Sequence, residues 1–229
     1  MPAQREPASR QSVRSPLRVW DLPTRAFHWS LVVLIGAAWF TAENGFIEWH
    51  AWIGQALLAL MIYRLIWGLI GSQTAQFWDF FKGVAAAKAY ARGLLHGKLQ
   101  ETVGHNPLGG LMVLLLLGLV TAQAVLGLFA NDDIYFDGPL THLVSKGFSD
   151  TLTGLHGLVF NLILAAALVH IGAVLFYLVV KRENLIRAMV TGYKSWVEPH
   201  PHVRFTPAWV ALPALAVAAA LVWAAVNYL

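Results

Sequence analysis

The sequence predicts an all-α integral membrane protein: a four-helix bundle with an additional C-terminal transmembrane helix. Three observations predict it. Hydrophobic residues make up 58% of the 229 residues and charged residues 12%, about half the charged share of a soluble domain. Mean hydropathy is +0.59. Five apolar stretches alternate with charged loops, at about Arg25 to Phe40, Trp49 to Ile70, Asn106 to Ala130, Leu152 to Val180 and Pro207 to Leu229. This composition excludes a soluble globular enzyme and a disordered chain. The net charge of +4 does not call for nucleic acid, because the basic residues sit between apolar runs.

A bilayer core of about 30 Å needs roughly 20 helical residues. The first stretch is short unless its polar approach, Thr24 to Ser30, lies within the membrane boundary. It begins after a 24-residue polar arm and no compact small-x-small site follows it before Glu43, so a retained helix is expected and not a cleaved signal. The second and third stretches have the length of simple spans. The fourth is long enough to tilt or project. The fifth carries no Asp, Glu, Lys, Arg or His and reads as an anchor or packing helix. All five are too long for barrel strands, and helices satisfy their own backbone in lipid. Segments 71–104 and 181–206 are linkers. Phe77, Trp78, Phe80, Phe81 and Tyr90 mix there with basic residues, which predicts short interfacial helices in the first.

Loop charge gives an orientation. Arg5, Arg10, Arg14, Arg18 and Arg25 precede or open the first helix. Lys82, Lys88, Arg92 and Lys98 lie in the second loop, and Lys181, Arg182, Arg187, Lys194 and Arg204 follow the fourth helix. Alternating helices place all of these on one side. The other side holds Glu43, Glu48, Asp132, Asp133, Asp137 and Asp150 with Lys146 as its one basic loop residue. The positive-inside rule puts the N-terminus in the cytoplasm and the C-terminus outside. The acidic side is either a plain solvated face or a surface that steers a basic partner.

The chemistry rests on histidine. The chain has no cysteine, which excludes disulfides, thiolate-held iron–sulfur clusters, covalent c-type haem attachment and a Cys nucleophile. Of nine histidines, four fall in or at the ends of the first four helices: His28, His50, His156 and His170. His156 and His170 are fourteen residues apart on one helix, nearly four turns and about 21 Å of rise, so they share a face. His50 and His156 then meet at an outer depth, and His28 and His170 at a cytoplasmic depth. One buried histidine is as readily an ordinary hydrogen-bonding residue as a ligand. Four at two depths call for a common reason, since ionisable groups in hydrocarbon are costly. Zinc takes three or four protein ligands. Two plus two fits the axial positions of two non-covalently bound haem b groups, which makes the predicted fold a four-helix dihaem bundle.

Other residues are less specific. Gly36, Gly54, Gly68, Gly118, Gly127, Gly157 and Gly172 make room for a macrocycle or for helix packing. Trp29, Trp49, Trp52, Phe160 and Phe176 pack beside porphyrins or anchor at the interface. Arg64 lies fourteen residues after His50, on nearly the same face. It pairs with a haem propionate or snorkels to the interface, and the sequence favours neither. His105 opens the third helix in GHNPLGG, with Asn106 as a cap and Pro107 in the first turn. It binds a quinone, handles a proton, contacts a propionate, satisfies the helix end, or replaces one of the four ligands. His96, His142, His200 and His202 read as loop histidines.

RAFHWSL, WHAWIGQALLALMIYRLIWGLIGS, GHNPLGGLMVLLLLG, the helix carrying His156 and His170, and KRENLIRAMVTGYK together resemble the prokaryotic cytochrome b561 family, which includes b-type cytochrome subunits of nickel–iron hydrogenases. The resemblance covers about residues 18–194. It divides the chain into an arm at 1–17, the core at 18–194, a linker at 195–206 and a fifth helix at 207–229. It implies a bacterial inner-membrane location among membrane lipids, and haem ligation by His28 with His170 and His50 with His156. It implies electron transfer between a membrane quinone and a redox protein such as a c-type cytochrome or a hydrogenase. Arg64, His105 and the segment after Lys181 are the expected quinone contacts. Alternatives are a superoxide-oxidising quinone reductase, a hydrogenase cytochrome b subunit and a haem-free membrane scaffold or transporter. Whether the chain is itself an enzyme, as a quinone-linked oxidoreductase, stays open.

Overall fold

The computed structural model describes residues 14–97, 101–134 and 136–229. Arg5, Arg10 and Lys98, used above in the charge argument, and most of the 1–17 arm lie outside the described residues.

Among the described residues, five helices are long and apolar enough to cross a membrane. Helix α1 runs Leu22–Glu43, α2 Ile47–Ile70, α5 Pro107–Leu128, α6 Lys146–Val179 and α8 Ala211–Tyr228. The chain is therefore a multi-pass, helical membrane protein. The polar approach at Thr24 to Ser30 is helical, which brings α1 to 22 residues and to spanning length. Its start is set by Asp21, whose carboxylate accepts from the Thr24 amide at 2.7 Å, with Pro23 in the first turn. Helix α5 starts as the sequence predicts: the Asn106 side-chain oxygen accepts from the Gly109 amide at 2.8 Å and Pro107 follows. Helix α6 begins at Lys146, before the apolar run, and its 34 residues reach about 51 Å, well beyond a bilayer core.

The spans pack as two hairpins, α1 on α2 and α5 on α6. Helix α2 joins them by packing on α5, and α8 covers another side of α2. Ala214, Ala218 and Val222 form the buried stripe of α8, and small residues let backbones approach closely in lipid. Helix α6 leans on α5 and makes only slight contact with α1 and α2. Buried Phe27, Met61, Trp67, Leu117, Val120 and Ile163 form the shared core. Val33, Trp52, Leu115, Leu168 and Leu212 are exposed, as lipid-facing positions are.

Short helices α3 (Phe77–Phe80) and α4 (Gly83–Leu95) occupy the predicted interfacial linker. The second linker holds α7 (Leu185–Thr191) and strand β2 (Tyr193–Val197), which pairs antiparallel with strand β1 (Arg14–Arg18) from Arg14 opposite Val197 to Arg18 opposite Tyr193. This sheet is absent from the all-α prediction. RSPLR and YKSWV are too short and too charged to carry a clear period-two signal. The sheet is pinned by Gly192, at φ +89°, whose carbonyl accepts from Val19 and Trp20 at 2.8 and 3.1 Å. The Thr74 hydroxyl donates to the Val19 carbonyl at 2.7 Å. Lys194 donates to the Thr102 carbonyl at 2.6 Å and pairs with Glu183 at 2.9 Å. Strand β1 and the described parts of both linkers thus knit into one cap at the basic end of the bundle.

Asp21 ties this cap to the spans. It is 2% exposed, and its second oxygen accepts from the Trp67 indole at 3.2 Å, joining the start of α1 to the end of α2. Removing a buried acceptor strands both donors, at about 1–3 kcal/mol. Asp21→Ala is expected to lower thermal stability in detergent by that order. Asp21→Asn, which keeps an acceptor oxygen, should lose less, and equal melting of the two variants would contradict this role.

Candidate cofactor-binding site

The structure brings His50 of α2 and His156 of α6 together, with ring centroids 6.0 Å apart and planes at 81°. His50 Nδ1 lies 2.8 Å from the Ala38 carbonyl of α1, and His156 Nδ1 lies 3.0 Å from the Gln123 carbonyl of α5. A carbonyl only accepts, so Nδ1 carries the proton in both rings and Nε2 keeps its lone pair. Each histidine is thus oriented by the other helix of its own hairpin.

Imidazole–metal bonds are about 2 Å long, so two axial imidazoles on one metal hold their ring centres roughly 6 Å apart. The His50–His156 spacing fits that arrangement. An apolar cavity of about 250 Å³ lies beside the pair, between α1, α2, α5 and α6, with Trp39, Leu57, Val120, Phe160 and Ile163 in its wall. A methyl group added at Gly54 or Gly157, both in that wall, would meet nothing within 4 Å. One added at Gly127 would lie 3.1 Å from His156 Cε1, so that glycine sets the room for the ring. Gly68 has a different role: its added methyl would strike the Phe77 ring at 2.1 Å, so it is a packing contact. The described residues contain no group of three or more His, Cys, Asp or Glu side chains gathered for an ion. Histidine pairs are what the fold presents.

The inner level is built differently. His28 and His170 lie within electrostatic reach of each other, and His28 Nδ1 is buried without a hydrogen-bond partner. Trp29 meets the His28 ring edge-on at 5.0 Å and donates to the Met189 carbonyl of α7 at 3.3 Å. His105 packs between Trp20 and Phe80, at 4.7 and 4.9 Å between centroids, and its Nδ1 also has no partner. Burial, with the charges of Arg64, His170 and His28 acting in the same direction, pushes His105 down to about 3. It is therefore a neutral imidazole at this level.

Arg64 does not snorkel. It is 3% exposed, Nη2 donates to the Ala75 carbonyl at 2.9 Å, and the guanidinium sits 5.0 Å over the Phe77 ring. Its Nη1 has no partner, a deficit worth about 1–3 kcal/mol if left unfilled.

The prokaryotic cytochrome b561 family model matches residues 19–192. The chain belongs to this family. No curated protein and no solved structure matches it. Family membership supports a membrane electron-transfer role for this cytochrome b561 chain.

The remaining sequence candidates divide. Phe160 lines the cavity. Trp49 and Trp52 pack on each other at 5.8 Å and are 62% and 67% exposed, as interfacial anchors are. Phe176 lies under Lys181 at 5.7 Å. His96, His142 and His200 are engaged in loops, with the Arg92 carbonyl, the Leu229 carbonyl and the Ser15 hydroxyl. Sequence reasoning missed Trp39 in the cavity wall and the backbone carbonyls of Ala38 and Gln123. A backbone carbonyl carries no signal in the sequence.

The neutral state of His105 has a pH signature. Its folded value lies below the ordinary 6.5, so the unfolded chain binds more protons as pH falls below about 6.5. The His105 contribution is fully present above that value and is lost toward pH 3. The melting temperature of wild type minus that of His105→Asn should therefore fall between pH 8 and pH 5. Parallel curves would count against a neutral buried imidazole.

Proposed function

We propose that this chain carries single electrons across the membrane between two non-covalently bound haem b groups. His50 and His156 hold one, and His28 and His170 hold the other. The observation that carries the reading is the outer pair, with rings 6.0 Å apart and both Nδ1 atoms committed to backbone carbonyls. When bound, haem supplies one-electron iron redox chemistry with little change of geometry. The chain's own residues do the rest. The carbonyl tethers fix the tautomer and the ring orientation, and Trp39, Phe160 and Ile163 give the outer level an apolar lining. His156 and His170 stand on one face of α6, about 21 Å apart in rise, with buried Ile163 midway.

The orientation proposed is N-terminus in the cytoplasm and C-terminus outside, in the bacterial inner membrane. The basic cap supports it: Arg14, Arg18, Arg25, Lys181, Arg187 and Lys194 collect where β1, β2 and α7 meet. A membrane quinone is the proposed redox partner near the inner level. Helix α7 borders that level, since Arg25 donates to the Val190 carbonyl and Trp29 to that of Met189. An outer redox protein, such as a c-type cytochrome or a hydrogenase, is the proposed second partner. The superoxide reading is weaker, because Lys146 is paired with both Asp133 and Asp150 and offers little free positive charge to an anion.

Purified protein supplied with haem should contain two b haems per chain with low-spin spectra. His156→Ala should lose the outer haem and keep the inner, and His170→Ala the reverse. Gly127→Val, which crowds His156, should weaken the outer haem alone. A folded, haem-supplied wild type without porphyrin would leave the scaffold reading standing. Either alanine variant retaining both haems with unchanged spectra would remove that histidine from the ligand set.

A further inference from the structure

We infer that Arg64, with His105 beside it, is a carboxylate-binding site, and that its occupant is a propionate of the haem at the inner histidine level. The inference rests on the dihaem reading. Arg64 follows His50 by fourteen residues, nearly four helical turns. It therefore looks into the same gap between the hairpins that His50 looks into, at the opposite depth. The side chain is 3% exposed, which closes it to solvent.

Its surroundings satisfy the stacking face and one amine and leave the other amine open. Phe77 lies over the guanidinium at 5.0 Å and the Ala75 carbonyl takes Nη2 at 2.9 Å. Nη1 is buried and meets no acceptor. Asp21 is the carboxylate whose charge reaches Arg64, yet its two oxygens accept from the Thr24 amide and the Trp67 indole. The chain thus buries a cation beside a carboxylate committed elsewhere. Nδ1 of His105 adds a second buried position without a partner, close enough to Arg64, His28 and His170 to feel their charges.

The chemistry of the gap selects the ligand. A quinone carbonyl would accept a hydrogen bond and leave the cation uncompensated in a low-dielectric interior. A carboxylate supplies the charge and the two-oxygen edge that a guanidinium fork matches. A lipid or free anion offers similar charge, but would have to reach a side chain that is 3% exposed and packed against the Phe77 and Phe80 rings.

The test uses full-length protein from cells fed 5-aminolevulinate labelled with ¹³C at the carboxyl carbon, as wild type, Arg64→Lys and Arg64→Met. Haem content, potentiometric titration and reduced-minus-oxidised infrared spectra are read on each. Arg64→Met should keep the outer haem. It should lose the inner one, or make it at least tenfold harder to reduce, ~59 mV for a one-electron couple. It should also shift a label-sensitive carboxylate band, with Arg64→Lys intermediate. A shift only in label-insensitive bands would assign the anion to lipid or solvent and overturn the propionate. Unchanged haem content, potentials and bands in Arg64→Met would overturn the site. Wild type without haem would instead remove the dihaem reading on which the site rests.

Discussion

A hydrogen-bond donor inside hydrocarbon must find its acceptor within the protein, and this constraint organises the bundle around its histidines. Helical carbonyls are already engaged along their own helix, but each has a second lone pair. His50 and His156 use that spare capacity on the neighbouring helix: α1 for the histidine of α2, and α5 for the histidine of α6. The helices that pack into hairpins are therefore the same ones that orient each ring. Each hairpin presents one Nε2 across a gap that packing alone does not close, because α6 makes only slight contact with α1 and α2.

The other elements serve that gap indirectly. Helix α2 touches α1, α5 and α8, so it is the fixed member against which the histidine geometry is set. The alanine stripe of α8 packs on it with no ionisable group, which makes the fifth span a buttress within the bundle. At the basic end, Asp21 and Gly192 lock the start of α1 to the end of α2 and to the β1–β2 pair. Tyr177 receives the Asn106 amide at 3.0 Å and contacts the Tyr90 hydroxyl at 2.8 Å, joining α4, α5 and α6. A shift of α4, α5 or α6 is therefore opposed by polar contacts as well as by apolar packing.

The spans were legible because their signals are long. Twenty apolar residues cannot be hidden, and the Asp21 and Asn106 caps sit beside Pro residues that mark helix starts. The meeting of His50 and His156 was legible for a related reason: helical rise converts spacing into depth. What sequence could not carry was anything that depends on a backbone atom or a distant strand. The carbonyls of Ala38 and Gln123 have no residue signature. The pairing of Arg14–Arg18 with Tyr193–Val197 joins segments far apart in the chain, each too short for periodicity. Arg64 was ambiguous because a long cationic side chain in the inner part of a span reaches either the interface or the interior. Which it does is decided by the aromatic wall of Phe77 and Phe80, contributed by a different segment.

The two histidine levels differ in how much of their order the chain supplies. At the outer level both Nδ1 protons have acceptors and the rings stand at ligating separation, so binding there asks for little rearrangement. At the inner level His28, His105 and Arg64 each present a buried nitrogen without a hydrogen-bond partner. A buried polar atom without a partner is costly, so a ligand that supplies one gains binding free energy. On the proposed reading, the outer level is held by the hairpins and the inner level is completed by its ligand. On the same reading the basic cap would bias electron transfer, because positive charge near one level favours the reduced state there over a level surrounded by acidic loops. On that reading the asymmetry comes from the same arginines and lysines that the proposed topology places in the cytoplasm, so one charge distribution would serve both the orientation and the energetic difference between the two depths.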